Sequence, residues 1–236
     1  MIQAIDMIHA FLGAPRTATS SIWTIFKGHD EVACSIRKEP FNFSPKRQVF
    51  PEFYFKEFER TDKTKVLLDG TPAAYHYFHG KVNKLRLPIK IIYPMRNPYD
   101  RIYSTIKQMI LTHALKPYKR HPFMRGKFDI DIDMLKYFIP TLLDYENISR
   151  AFIVSDHVFI FKFEDMRVWD ICEFLEVKPI DVELPKLNSM SKSWDAEYSK
   201  ECKAKVDDFF YNNKWLDDMI QSDKERVLEN YNYSWD

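Results

Sequence analysis

Phe11-Leu12-Gly13-Ala14-Pro15-Arg16-Thr17-Ala18-Thr19-Ser20-Ser21 joins two different patterns. Before it, the apolar run from Ile5 to Leu12, broken only by Asp6 and His9, predicts a buried strand. After it, Ile22, Trp23, Ile25 and Phe26 begin a helical pattern. Strand, small-residue turn and helix N-terminus in that order make an anion cradle. The first amides of a helix have no intrahelical acceptors, and they carry the positive end of its dipole. The hydroxyls of Thr17, Thr19, Ser20 and Ser21 and the guanidinium of Arg16 add donors around the same spot. A phosphate, or a close chemical relative of phosphate, is the expected guest. The plainer role for Thr19 or Ser20 is to cap the helix.

The nucleoside-triphosphate P-loop, G-x-x-x-x-G-K-[ST], is the nearest competitor. Laid on Gly13 it requires Gly at 18 and Lys at 19, and meets Ala18 and Thr19. The cation stands earlier, at Arg16, so a kinase loop fails at the lysine it most needs. The bulk numbers narrow the field further. At 236 residues, 45% apolar and 16% aromatic, the chain has enough material for one sizeable α/β core, and a single domain over residues 1–236 is expected. A net charge of +1 gives no general attraction to nucleic acid or to a membrane surface. Cys34, Cys172 and Cys202 are odd in number and have no ligand spacing, which argues against a disulfide framework or a structural zinc. No metal is expected. No run approaches the ~20 apolar residues of a membrane helix, and no leader pattern opens the chain. A cytoplasmic protein is the expectation.

Further along, Val32–Ile36, Lys65–Asp69, Ile89–Met95 and Val158–Phe163 predict four more strands. Pro94 lacks the N–H a central strand uses, so an irregular end is expected there. Helices are predicted over Glu52–Arg60, Tyr75–Leu85, Pro98–Ala114, Asp131–Arg150 and Val168–Leu175, and in a C-terminal tail over Ser199–Phe210 and Lys214–Ile220. Strands alternating with helices imply a three-layer α/β/α arrangement, P-loop-like, around a central parallel sheet of about five strands. In such sheets ligands sit at the carboxyl ends of the strands. Three segments stand at those ends: the opening turn, Arg37-Lys38-Glu39-Pro40 and Arg96-Asn97-Pro98.

Two of these segments resemble the 3′-phosphoadenosine-5′-phosphosulfate (PAPS) dependent sulfotransferases. In that family a P-[KR]-x-G-T-T turn binds the 5′-phosphosulfate, and it stands here as Pro15-Arg16-Thr17-Ala18-Thr19-Ser20. The family's R-[ND]-P-x-[DE]-R-x-x-S segment binds the 3′-phosphate, and it is intact from Arg96 to Ser104. Lys38-Glu39-Pro40-Phe41 resembles the Lys-Glu-x-His of the glycan-modifying branch, with Phe41 in place of His. Phe161 to Met166, followed by Phe174-Leu175, resembles a late structural segment of the family, and Leu187-Asn188-Ser189 lies where its C-terminal loop covers the cofactor.

The resemblance implies transfer of a sulfuryl group from PAPS to a hydroxyl or amine acceptor, leaving adenosine 3′,5′-bisphosphate (PAP). It implies that Pro15, Arg16, Thr17, Ala18, Thr19, Ser20 and Ser21 hold the 5′ end, and that Arg96 and Ser104 hold the 3′-phosphate. Arg16 would balance charge on the leaving phosphate, and Glu39 would be the base. The cytosolic branch carries Lys-Thr-His after its third strand, but this chain reads Gly70-Thr71-Pro72. Both the lysine and the histidine are replaced, and Lys38 is the candidate to supply the missing charge. His76, His79 and His113 remain alternative bases. The basic residues Lys116, Lys119, Arg120, Arg125 and Lys127 would suit an anionic acceptor or form a plain solvated loop. A non-catalytic nucleotide-binding member of the fold and, further off, a small-molecule kinase are the rival readings.

Overall fold

The structure, a computed structural model, describes residues 7–40, 51–72, 88–115, 131–182, 200, 204 and 207–233. Five strands form one parallel sheet: β1 (Ile8–Leu12), β2 (Val32–Cys34), β3 (Val66–Asp69), β4 (Ile89–Met95) and β5 (Val158–Lys162), in the order β2-β3-β1-β4-β5. From β1 the chain moves out to β2 and β3 on one side, then crosses to β4 and β5 on the other. The strand order therefore reverses beside β1, and the turn after β1 opens at the switch point where such sheets bind ligands.

β1 and β3 are apolar almost throughout because both faces of the sheet are covered. On one face, Ala10, Leu12, Val66, Leu68 and Ile92 pack against Ile22 and Phe26 of α1 (Thr19–Phe26). A later helix, Val168–Leu175, adds Val168, Ile171, Cys172 and Leu175 to the same cluster. On the other face, Tyr54 of α2 (Pro51–Phe55) and Phe58 meet the His9 ring. The sheet is flanked by helices as expected.

Pro94 does not disturb its strand. In a parallel ladder successive residues turn alternately to the two neighbours. Pro88 and Ile92 offer their carbonyls to His9 and Gly13 on the β1 side, whereas the Ile91 amide donates to His157 on the β5 side. The nitrogen of Pro94 thus faces the β1 side, past Leu12, where that strand has already ended. No ladder bond is lost, and β4 pairs with β5 regularly as far as Met95.

The described chain divides into two compact units, Met1–Met95 with Asn147–Asn188, and Arg96–Glu146 with Ser189–Asp236. The second is helical. It contains α3 (Pro98–Leu115), α4 (Ile132–Phe138), the first residues of α5 (Asp144–Val154), helical backbone at 207–211, and the last helix, Lys214–Tyr231. With α5 so placed, the helix at Val168–Leu175 is α6 and the last is α7. Ile102, Ile106 and Ile110 recur at four-residue spacing along α3 and pack with Leu135, Ile139, Leu216 and Ile220. The helix expected over Asp131–Arg150 is broken. Pro140 stands in the first turn of a 3-10 segment, Ile139–Leu142, and Leu143 is extended before α5 begins. A proline has no amide for an α-helical bond and clashes with the preceding turn. α7 runs on to Tyr231, beyond the Ile220 end expected for it. The helix expected at Tyr75–Leu85 lies outside the described residues, as do His76, His79, Phe41, the basic residues 116–127 and Leu187-Asn188-Ser189.

Candidate functional site

The turn after β1 is built by close approach and left-handed backbone. Gly13 donates its amide to Ile92 O at 2.7 Å. A Cβ placed on it would lie 2.9 Å from the Tyr93 Cα, so the backbones meet there only because residue 13 has no side chain. Thr17 is buried, and its hydroxyl donates to Ala14 O at 2.6 Å, which holds the turn closed. Arg16 and Ala18 have φ of 68° and 59°, and Thr17 between them does not share that region. Such alternation turns successive amides toward one side, as in anion-binding nests. Ala18 is the N-cap of α1, and its carbonyl accepts from Ile22 N at 3.0 Å. It brings no capping side chain, and the first turn holds no acidic residue. Thr19, Ser20 and Ser21 are therefore the first helical residues rather than caps.

Ala18 keeps the backbone shape that glycine would adopt, at a cost. A β-carbon in the left-handed region is disfavoured by about 1–2 kcal/mol, and glycine would return part of that gain as unfolded-state entropy. Ala18→Gly is expected to stabilise the protein by about 0.5–1 kcal/mol, read as a rise in urea midpoint without a change of slope.

The segment after β2 reaches this turn. Ile36 N donates to Glu57 O at 2.7 Å, Ser35 bridges Phe58, and Arg37 pairs with Glu57 at 2.5 Å. On its other side the segment lies against the end of β3, where Gly70 N donates to Ser35 Oγ at 3.5 Å. Held between these supports, Lys38 pairs with Glu39 at 2.7 Å and directs its ammonium to Thr19 Oγ1 at 3.5 Å. The Lys38–Glu39 pair thus stands on the first residue of α1. Gly70 makes this possible: a Cβ there would fall 2.5 Å from Lys38 O, 2.7 Å from Trp23 Cδ1 and 3.0 Å from Lys38 Cγ. The volume a side chain at 70 would need is filled by Lys38 and by the indole of Trp23.

In the helical unit, Asn97 caps α3, its side chain accepting from Tyr99 N at 3.0 Å. Arg96, half-buried, lies 3.9 Å from Asp100. Ser104 is half-buried about two turns into α3. Arg101, between them, is buried against Asp144.

Among solved structures, a crystal structure of a sulfotransferase from Alicyclobacillus acidocaldarius aligns over 94% of each chain, with TM-score 0.54 and 18% identity. The chain has a sulfotransferase fold. A structure of mouse sulfotransferase SULT7A1 complexed with PAP aligns over 86% of this chain and 64% of that one, at 15% identity and TM-score 0.41, too distant a likeness to argue from. No protein-family model and no curated protein sequence matches.

Within this sulfotransferase fold the structure brings together the turn from Pro15 to Ala18, Thr19, Lys38 and Glu39. Arg96 and Ser104 stand on one short stretch of the helical unit. Among the described residues no group of three or more His, Cys, Asp or Glu is disposed to hold a metal ion, and no helix is long and apolar enough to cross a membrane.

Two features escaped the sequence. One is the packing of Trp23 and Lys38 over Gly70. The other is a buried polar cluster on the sheet face opposite α1. Tyr54 Oη donates to Asp69 Oδ2 at 3.0 Å and is hydrogen-bonded to His9 Nε2, while Thr71 N donates to Asp69 Oδ1 at 2.8 Å. Burial lowers the His9 pKa to about 3 and raises that of Asp69 to about 6, even though the Thr71 and Tyr54 hydrogen bonds pull the latter down. His9 and Asp69 are ordinary strand residues by pattern, and no local signal links them to Tyr54.

Proposed function

We propose that the protein transfers a sulfuryl group from PAPS to a hydroxyl or amine acceptor. The observation that carries this reading is the set of donors around the start of α1. Left-handed backbone at Arg16 and Ala18, an N-cap without a side chain to fill it, and the Lys38 ammonium at Thr19 make a place for a tetrahedral oxyanion. The Arg96–Ser104 segment matches the family's 3′-phosphate motif throughout, and the turn resembles its 5′-phosphosulfate motif with Ala18 in place of Gly and Ser20 in place of the second Thr.

In this reading the amides and hydroxyls from Thr17 to Ser21 hold the 5′ end of the nucleotide. The Thr17 hydroxyl keeps the turn in shape, and its amide is the group offered. Arg16 carries charge that offsets the negative charge gathering on the departing phosphate, acting as a clamp because a guanidinium does not give up its proton. Lys38 supplies a cation beside Thr19, from the segment after β2 instead of from position 70. Glu39 takes the acceptor's proton. Arg96 and Ser104 take the 3′-phosphate, the arginine fork giving paired charge-assisted bonds. PAPS supplies the activated sulfuryl group. The protein's part is positioning and charge stabilisation, as in phosphoryl transfer.

Thermal shift separates this from the kinase reading. PAP is expected to raise the melting temperature and ATP or ADP to do so weakly or not at all, because neither carries a 3′-phosphate. Stabilisation by ATP alone would overturn the proposal. A screen with labelled PAPS against pooled phenols, alcohols, glycans and peptides then identifies the acceptor. PAP binding without transfer to any pool would favour a non-catalytic member of the fold.

A further inference from the structure

Arg101 lies inside the Arg96–Ser104 segment, yet it faces away from solvent. Both it and Asp144 are buried, at 2% and 0% exposure. The guanidinium pairs with Asp144 Oδ1 at 2.9 Å and also donates to Leu142 O. Leu142 and Asp144 bracket the junction between the 3-10 turn and α5. That junction is itself fixed from α7, where Asp223 accepts from the Asp144 and Tyr145 amides at 2.9 and 3.0 Å and so caps α5. Arg226 lies 3.7 Å over the Tyr145 ring and 3.6 Å from Glu146. α3 is therefore held by one side chain to a point that two other helices define.

A single guanidinium nitrogen, Nη2, that reaches both Asp144 and Leu142 O sets both the rotation of a helix about its axis and its position along that axis. Buried apolar contacts at Ile102, Ile106 and Ile110 do this less sharply, since dispersion and burial have little directional preference. Ser104 lies three residues beyond Arg101, on the neighbouring strip of the same helix. Arg96 lies just before the Asn97 cap, whose carbonyl accepts from Arg101 N at 3.0 Å. A turn of α3 would displace both.

We propose that Arg101 is the positioning residue of the 3′-phosphate segment. It touches no phosphate, but through Asp144 and Leu142 it fixes where Arg96 and Ser104 point. The inference rests on the reading of Arg96 and Ser104 as the 3′-phosphate clamp, and its test separates the two. Calorimetric titration of the full chain with PAP and with 5′-AMP, which lacks the 3′-phosphate, gives a discrimination ratio. In the wild type PAP is expected to bind at least ~10-fold more tightly, roughly the worth of one charge-assisted contact. Arg101→Lys, which keeps the charge but ends one bond short of the Nη2 position that reaches Asp144 and Leu142 O, is expected to lower that ratio at least ~5-fold while 5′-AMP affinity stays within about twofold. Removing a partner from a buried pair is disruptive, so the paired change Arg101→Met with Asp144→Leu is the second variant, filling the space with apolar groups. It too is expected to fold and to lose discrimination. A purely structural role would shift the melting temperature and leave the ratio alone, and an unchanged ratio in either folded variant overturns the proposal. No discrimination in the wild type would instead overturn the clamp reading, and this inference with it.

Discussion

Glu39→Gln is expected to lower turnover by about 10²–10⁴-fold, the usual worth of a positioned general base, while PAP binding changes by no more than about twofold. The substitution preserves size and leaves an oxygen to accept from Lys38. The Lys38–Glu39 pair at 2.7 Å, and the reach of Lys38 to Thr19, should therefore survive, and only the capacity to take a proton is lost. The half-exposed carboxylate is what an acceptor hydroxyl would approach. Lys38→Ala is the informative companion. If Lys38 supplies charge beside the cradle, its loss should weaken PAP binding as well as turnover, a pattern Glu39→Gln does not share. Rates come from initial-velocity assays with the acceptor found in the labelled screen, and affinities from titration with PAP. A Glu39→Gln protein with wild-type turnover would remove Glu39 from the base role. An Asp69→Asn protein with the same loss would point to a general loosening at the carboxyl end of β3.

The parts of this site that could be read from the sequence are those whose physics is local. The run into Leu12 and the apolar Val66-Leu67-Leu68 of β3 announce buried parallel strands, and the turn from Gly13 to Ser21 carries its own small residues and hydroxyls. Lys38 and Glu39 were legible as charged residues at a strand end. The space around them was not, because Gly70 is adapted to Lys38 and Trp23, which are 32 and 47 positions away in the chain. Nor does the pattern reveal why Gly13 must be glycine, since the Tyr93 backbone that excludes a Cβ belongs to β4. Pro94 misled in the opposite direction. Its missing donor matters only if a neighbour stands opposite, and β1 ends too soon for that. The helical unit was read less well than the sheet for a similar reason. Periodicity continues across Pro140, so the change to a 3-10 turn and the restart at Asp144 depend on a cap borrowed from Asp223 in α7.

The buried His9–Tyr54–Asp69 cluster leads to the other large effect, a pH dependence that the intact protein conceals. Asp69 titrates near 6 in the folded state against 3.8 for an ordinary side chain, because burial penalises its charge. A raised pKa means that its contribution to stability is fully present below 3.8 and is lost as pH rises through about 6. His9 is the reverse. Burial holds it neutral down to about 3 against an ordinary 6.5, so its contribution is full above 6.5 and is lost on acidification toward about 3. Between roughly pH 4 and 6 the two slopes, each about 1.4 kcal/mol per pH unit, have opposite sign and largely cancel. Tyr54 ties them together. It has one hydroxyl proton to give, so when it donates to ionised Asp69, the His9 Nε2–H must donate to it. His9 Nδ1, which has no hydrogen-bond partner among the described residues, is then left as a bare acceptor. Asp69→Asn removes one slope. Relative to wild type it is expected to lose stability progressively below about pH 6, by about 3 kcal/mol at pH 4, because His9 is still forced to remain neutral. His9→Gln removes the other, and relative to wild type is expected to gain about as much on acidification from pH 6 to pH 4. Urea unfolding of all three proteins at matched ionic strength from pH 7.5 to 4 supplies the differences. If the two variants track the wild type in parallel across that range, Asp69 and His9 do not oppose one another and the cluster is an ordinary pair of buried hydrogen bonds.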